Sequence, residues 1–202
     1  MSGSKGSPWG KATIFVALLV VLVLGGCAHV FQSLQPQPCL KFHGKEVVET
    51  PAEEFLVSDR FKAGTPSKDL EIYWVGDNFK SWFGDLIVKS SGGSVELRRY
   101  IMIRPAKDAS IITELGGEVK VETSLLAIYA LMEKQGKGQE GVLLTDGLFN
   151  FFFVRDISAI LRVVTVGWGN GGWHINAFSA KSRHKLGGVD YPYQVFSSNS
   201  GN

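Results

Sequence analysis

The stretch from Leu148 to Ala180 constrains the fold of this 202-residue chain more than any other. Two segments rich in apolar residues flank Asn170-Gly171, and this dipeptide favours a two-residue β-hairpin turn because both central positions of the turn require positive φ. A third apolar segment, Leu148 to Arg155, precedes them across a short loop at Asp156 to Ala159. The stretch therefore predicts a three-stranded antiparallel meander.

The hairpin turn also fixes the register of the strands on either side of it. Trp168 is predicted to lie opposite Trp173, and Val166 opposite Ile175, on one apolar face. A cross-strand tryptophan pair of this kind contributes up to ~1 kcal/mol. In the preceding strand, Phe151-Phe152-Phe153-Val154 is apolar on both faces, which predicts a central strand covered on both sides.

The other face of the meander is predicted to carry a polar patch. The same register places Thr165 opposite Asn176, and Gly167 opposite His174. If the loop between the first two strands has four residues, Asn150 lies beside Thr165. Asn150, Thr165, His174 and Asn176 are therefore the candidate recognition surface. The simpler alternative is that the solvent-facing positions of any sheet are polar.

Two helices are predicted outside the meander. Apolar residues recur at helical spacing between Glu122 and Gln135, which predicts the main helix. The sequence Thr50-Pro51-Ala52-Glu53 is typical of a helix start, because threonine can cap, proline suits the first turn and glutamate can reach back to the cap. It predicts a shorter helix over residues 51–62.

Further strands are predicted between the two helices. Alternation from Asp69 onward places Ile72 and Trp74 on the buried side of one strand. Asp85 to Lys89 and Val95 to Arg104 are predicted to form a hairpin, joined by a Ser-Ser-Gly-Gly turn. Residues 50–202 are thus expected to form one α+β domain. Its sheet is mostly antiparallel, with the three-stranded meander at its C-terminal end packed on one main helix and one further helix on the N-terminal side.

The first residues of the chain have the features of an export signal. Lys5 and Lys11 precede an unbroken run of apolar or near-apolar residues from Ala12 to Leu24, and small residues follow it. This run is shorter than the ~20 residues that a membrane-spanning helix needs, but it suits a secretory signal. An uncleaved signal anchor and a buried cytosolic helix are the alternatives, and only the last would keep the domain in the cytoplasm.

The tetrapeptide Leu24-Gly25-Gly26-Cys27 resembles the lipobox of bacterial lipoproteins. The resemblance implies that the chain is cut directly before Cys27, the last residue of the leader region 1–27, and that this cysteine becomes the diacylated N-terminus. Lipid chains on Cys27 would then hold the protein on a membrane of the bacterial cell envelope. Residues 28–49 contain Gln35-Pro36-Gln37-Pro38 and are predicted to form a partly stiff tether. Cys39 is expected to be a free thiol, or a disulfide partner of Cys27 if Cys27 is not acylated.

Charge and motif content exclude several classes of function. The 21 lysines and arginines include Lys5 and Lys11, so the rest of the chain has 19 basic residues against 19 acidic ones, without the excess of positive charge that nucleic-acid binding favours. Cys39 and His43 are too few ligands for a zinc site, so no metal is predicted. The sequence lacks the P-loop, nucleophile-elbow, HExxH and CxxC motifs, and no cofactor is expected.

The sequence alone therefore favours an exported, membrane-tethered binding or assembly module of the cell envelope, with an envelope protein as one possible partner. The alternative is an extracytoplasmic hydrolase in which His174 acts as a base with Asp156 or Asp146. An enzyme of that kind requires a carboxylate within hydrogen-bond reach of the imidazole. A binding surface does not require a carboxylate beside His174.

Overall fold

The computed structural model describes residues 37–64, 70–181 and 192–198. The chain divides into two units, 1–37 and 38–202, and the second is the folded domain described below. The predicted leader, Cys27 and the first part of the tether lie outside the described residues. Among the residues that the structure describes, no helix has both the length and the apolar character needed to cross a membrane.

A seven-stranded mixed sheet forms the centre of the domain, in the order β1-β3-β7-β4-β5-β6-β2. The strands are β1 Leu40–Leu56, β2 Ile72–Val75, β3 Ile87–Met102, β4 Phe149–Arg155, β5 Leu161–Gly169, β6 Gly172–Ser179 and β7 Gln194–Ser198. Strand β2 runs parallel to β6, and β4 runs parallel to β7. The four other pairs of neighbouring strands are antiparallel.

Five short helices accompany the sheet in the described part of the chain. They are α1 Val57–Arg60, α2 Asp77–Phe83, α3 Asp108–Glu114, α4 Glu118–Val121 and α5 Leu125–Lys134. The longest, α5, is the predicted main helix. The Ser124 hydroxyl caps it by accepting a hydrogen bond from the Ala127 amide at 3.1 Å. Every residue of α5 from Leu125 to Met132 is buried.

The predicted fold class is therefore wrong in its architecture. The three-stranded meander exists as β4-β5-β6, but it forms the middle of a larger mixed sheet and does not pack on one helix alone. Strand β4 explains the difference, because Phe152 and Val154 lie in one hydrophobic core while Phe151 and Phe153 lie in a second core. A strand buried on both faces needs cover on both, as the sequence of β4 predicted.

The first core contains α5, α2 and the apolar face of the tryptophan hairpin. Trp168 and Trp173 make an edge-to-face contact with their ring centroids 5.3 Å apart, as the predicted register requires. The second core contains Ile111 of α3 and Val121 of α4, packed with Met102 of β3. Short helices therefore line both cores.

The predicted helix over residues 51–62 is also wrong. Residues 51–56 continue strand β1, and only the four residues of α1 are helical. The Thr50 hydroxyl donates to the Gly93 carbonyl at 3.1 Å and does not cap a helix. Because β1 is an edge strand, it tolerates Pro51, whose nitrogen has no hydrogen to donate. Residues 40–49, assigned to the tether from the sequence, form the first part of the same strand.

The predicted hairpin between residues 85 and 104 is replaced by a single long strand, β3. Its pairing with β1 continues through the Ser-Ser-Gly-Gly segment, with Gly93 opposite Thr50 and Ser91 opposite Ala52. Gly92 and Gly93 have φ values of 80° and 131°, but here they bend a strand and do not reverse it. The partner β1, which the sequence did not identify as a strand, supplies the hydrogen bonds that keep this segment extended.

Cys39 lies directly before β1 and has a buried free thiol. Glu114, the last residue of α3, accepts hydrogen bonds from the Cys39 thiol at 2.9 Å and from its backbone amide at 2.7 Å. Burial, together with the nearby carboxylate, raises the pKa of Cys39 to about 12. The thiol therefore remains protonated at neutral pH and anchors the start of the sheet.

Candidate functional site

Three of the four residues of the predicted polar patch share one face of the sheet. Thr165 pairs with Asn176, and Gly167 pairs with His174, as the hairpin turn predicted. His174 and Asn176 are half-buried, whereas Thr165 is buried. Because the turn Asn170-Gly171 determines this register locally, the sequence placed the three residues correctly.

Asn150 lies on the opposite face, so its assignment to the patch is wrong. It pairs with Val166, and Phe151 pairs with Thr165. The loop between β4 and β5 has five residues, 156–160, and not four. Asp156 stabilises this longer loop, because its carboxylate accepts the amides of Ser158 and Ile160 at 2.8 and 2.9 Å. One extra loop residue moves Asn150 to the other face, since side chains alternate along a strand.

Asn150 stabilises the loop before β4 from within the protein. It is fully buried, and its side-chain amide donates to the carbonyls of Leu144 and Val166 at 3.1 and 3.0 Å. Its Oδ1 accepts the amide of Leu144 at 2.9 Å. These bonds satisfy backbone groups that have lost access to water, so we assign Asn150 a structural role.

Replacing Asn150 with alanine should lower the free energy of unfolding by about 2–3 kcal/mol, because buried backbone groups of Leu144 and Val166 would lose their partner. Asn176→Ala, on the open face, should cost less than about 1 kcal/mol. Urea denaturation followed by tryptophan fluorescence measures both variants. Equal losses in the two variants would contradict the assignment of the two asparagines to different environments.

Two aromatic side chains at the edge of the sheet flank His174. Between Ile72 and Trp74 the register of β2 against β6 shifts by one residue, so Tyr73 and Trp74 both lie against His174. Their ring centroids are 4.9 and 6.3 Å from that of the imidazole. Tyr73 remains 52% exposed and Trp74 43% exposed. The sequence predicted Trp74 on the buried side, and the bulge at Tyr73 turns it outward.

The aromatic surface continues across the sheet to β4. Phe149 pairs with Gly167, which in turn pairs with His174, so the three residues lie side by side on neighbouring strands. A β-carbon on Gly167 would come within 2.8 Å of the Phe149 ring, so only glycine leaves room for the ring there. Phe149 is 38% exposed. We call Tyr73, Trp74, His174 and Phe149 the ring row.

Asn176 lies two residues after His174 in β6, on the same face, and forms a polar border beside the ring row. Its Oδ1 accepts the amide of Ala177 at 2.9 Å, and its Nδ2 has no hydrogen-bond partner among the described residues. A β-carbon on Gly76 would collide with the Asn176 amide, so this glycine allows the side chain to lie at the edge of the sheet. A carboxylate lies close to the ring row, because the side chains of Glu71 and Tyr73 would both contact a β-carbon on Gly172.

His174 does not have the contacts of a catalytic base. Its Nε2 lies 3.0 Å from the Gly169 carbonyl, and because a carbonyl can only accept, Nε2 carries the proton. Burial would raise the pKa of Asp156, but hydrogen bonds from Ile160, Arg162 and Ser158 outweigh that effect and lower it. Asp146 accepts the Leu148 amide at 3.3 Å. Neither carboxylate is hydrogen-bonded to His174 in the described part of the chain.

Other parts of the described surface offer less chemistry. A cleft of about 430 Å³ lies between α1 and α2 and is lined by Phe61, Lys62, Val75, Phe79 and Lys80, among others. Within residues 37–64, 70–181 and 192–198, no group of three histidine, cysteine or acidic side chains is placed to hold a metal ion. The ring row is therefore the most distinctive candidate site.

The sequence indicated only part of this site. It identified the strand face that bears His174 and Asn176, but it did not identify Tyr73, Trp74 or Phe149 as surface residues. The sequence signals that accompany them are glycines: Gly76 and Gly167 leave space for an amide and a ring, and Gly172 leaves space for Tyr73. A bulge cannot be predicted from the alternation of apolar and polar residues, since that alternation assumes unbroken pairing.

Comparison with known proteins gives no relative from which a function could be transferred. No family model, no curated protein and no solved structure matches the chain.

Proposed function

We propose that this protein is an exported, membrane-tethered domain that acts as a binding or assembly module in the bacterial cell envelope. In this proposal the ring row is the binding surface, and the leader delivers the domain to the membrane. The observation that carries the proposal is the row of exposed aromatic side chains, Tyr73, Trp74 and Phe149, on neighbouring strands at one end of the sheet face that bears His174.

Exposed aromatic side chains that lie together favour a binding role. A soluble domain rarely leaves a contiguous apolar patch in water unless a partner covers it. Tyrosine and tryptophan are also enriched where proteins bind partners, because they combine a large apolar area with a polar end. Glycines at positions 76 and 167 and a bulge at Tyr73 are needed to hold this surface in place, which a merely solvated face would not require.

The sequence of residues 1–27 supports delivery to a membrane. The apolar run from Ala12 to Leu24 follows two lysines and ends in the lipobox-like Leu24-Gly25-Gly26-Cys27. Each buried CH₂ of an acyl chain contributes ~0.8 kcal/mol, so two chains on Cys27 would hold the protein durably. Such an anchor requires no membrane-spanning helix.

The hydrolase alternative has less support. His174 lies on an open face, and its Nε2 proton is directed to the Gly169 carbonyl. General-base catalysis by histidine depends on a free nitrogen in reach of the substrate and usually on a carboxylate that orients the ring.

Intact-mass and N-terminal analysis of protein purified from its native host tests the anchor. A diacylated mass beginning at Cys27, together with release of Cys27→Ser from the membrane fraction, is the expected result. Unmodified full-length protein in the cytosol would overturn the proposal.

A photo-crosslinking amino acid at position 73 tests the binding surface in the full-length protein in living cells. We expect adducts from position 73 and few from position 47. Val47 is a matched control because it is 53% exposed, close to the 52% of Tyr73, and lies on the opposite edge strand. Equal yields at the two positions would remove the ring row as a specific surface.

A further inference from the structure

We propose that the ring row binds a neutral glycan chain, with its aromatic rings stacked on successive sugar rings. This inference rests on the proposed function and names the ligand of the same surface. It depends on the shape of the row, on the chemistry of the rings and border, and on the absence of lysine and arginine from these five side chains.

The shape of the row suits an extended chain. Phe149, Gly167 and His174 lie on the adjacent strands β4, β5 and β6, and Trp74 lies opposite His174 on β2. Four strands at a spacing of ~4.8 Å give a row about 14 Å long. This length accommodates several units of a polymer laid across the strands.

The rings present the surface that a sugar ring requires. One face of a pyranose consists mainly of C–H groups, which pack against the negative face of an aromatic ring. Tyr73 is already held against His174, with a centroid distance of 4.9 Å and an interplanar angle of 32°. Little side-chain freedom remains to be lost on binding, and such preorganisation favours affinity.

Hydrogen-bonding groups beside the rings match the hydroxyl groups at the rim of a sugar. Asn176 Nδ2 can donate, since it has no partner among the described residues. His174 Nδ1 can accept, because the neutral imidazole carries its proton on Nε2. A donor and an acceptor next to an apolar platform distinguish a sugar, which has both apolar and hydroxyl surfaces, from a purely apolar ligand.

An anionic ligand is disfavoured, because the five side chains on which the proposal depends include no lysine or arginine, and because the Glu71 side chain, which lies beside Tyr73 against Gly172, adds a carboxylate. Binding of single-stranded nucleic acid also uses stacked aromatic rings, but it combines them with a positively charged groove. A proline-rich peptide is the nearest neutral competitor. Its extended helix docks into grooves between aromatic ridges, whereas the ring row lies on an open sheet face.

The test is titration of the full-length protein in detergent micelles with a β-1,4-linked N-acetylglucosamine tetramer, followed by calorimetry. Saturable binding is expected, and Trp74→Ala and Tyr73→Ala should each weaken it about tenfold, the loss expected for one stacked ring. Val47→Ala, at the opposite edge, should leave the affinity unchanged. Because both aromatic side chains are exposed, the variants are expected to fold, and circular dichroism verifies this.

Three results would overturn the inference: no saturable binding of the tetramer, equal affinity in Trp74→Ala and wild type, or tighter binding of a proline decapeptide at the same surface. Its failure can be distinguished from failure of the proposed function. Position-specific crosslinks at position 73 without tetramer binding would remove the glycan and keep the binding module. If neither the crosslinks nor tetramer binding were found, the glycan ligand and the binding module would both be excluded.

Discussion

Replacing Trp173 with alanine should lower the free energy of unfolding by about 3–5 kcal/mol, the range for a large aromatic side chain removed from a core. The Trp173 side chain is fully buried in the first core and contacts Trp168 at a centroid distance of 5.3 Å. Alanine would leave a cavity beneath β5 and β6 that the surrounding strands can fill only by distortion. Guanidinium denaturation followed by far-ultraviolet circular dichroism measures the change.

Trp74→Ala is the matched control, because it removes the same side chain from the same sheet at a position that is 43% exposed. It should cost less than about 1 kcal/mol. A loss below 1 kcal/mol for Trp173→Ala, or a larger loss for Trp74→Ala, would show that the two faces of the sheet are assigned in reverse.

Stability should fall as the pH rises from about 4 to 7, because Asp108 is buried. Its Oδ1 has no hydrogen-bond partner among the described residues, and burial raises the pKa of the carboxyl from 3.8 to about 7. In this pH window the folded state keeps a proton that the unfolded state releases. Each pH unit therefore lowers the free energy of unfolding by up to ~1.4 kcal/mol. The total loss is about 4 kcal/mol above pH 7.

Asp108→Asn should remove this penalty. The variant is expected to be more stable than wild type at pH 8 by up to about 4 kcal/mol, and to differ little from it at pH 4. Urea denaturation at the two pH values measures the difference. Asp77→Asn is the control, since Asp77 also begins a seven-residue helix but its side chain is fully exposed. If the variant and wild type differed in free energy of unfolding by the same amount at pH 4 and at pH 8, the Asp108 carboxyl would not titrate in this range.

Features fixed by short-range chemistry could be predicted from the sequence. The turn Asn170-Gly171 determined the register of β5 against β6 correctly, down to the facing pair of tryptophans. Helix α5 followed from the spacing of its apolar residues, and its cap, Ser124, is local as well. The apolar run of β4 correctly indicated burial on both faces. In each case the residues that decide the structure are neighbours in the chain.

Features fixed by distant partners could not be predicted. Thr50-Pro51 has the composition of a helix start, but pairing of β1 with β3 determines its conformation. Gly92 and Gly93 favour a turn by themselves, but pairing with β1 keeps this segment extended. One additional residue in the β4–β5 loop places Asn150 on the opposite face from the one predicted. One bulge in β2 exposes Trp74, which was predicted to be buried. The candidate site combines both kinds of feature, so the sequence identified His174 and Asn176 but not the rings around them.

The position of β7 determines when the domain can become complete. Residues 194–198 form the last described strand, yet they lie third in the sheet and pair with both β3 and β4, so that they join the β1–β3 ribbon to the β4-β5-β6-β2 portion in the described sheet. During synthesis both portions exist before their connector, each with an unpaired border at β3 or β4. The sheet closes only when β7 is in place, a non-local step that is intrinsically slow.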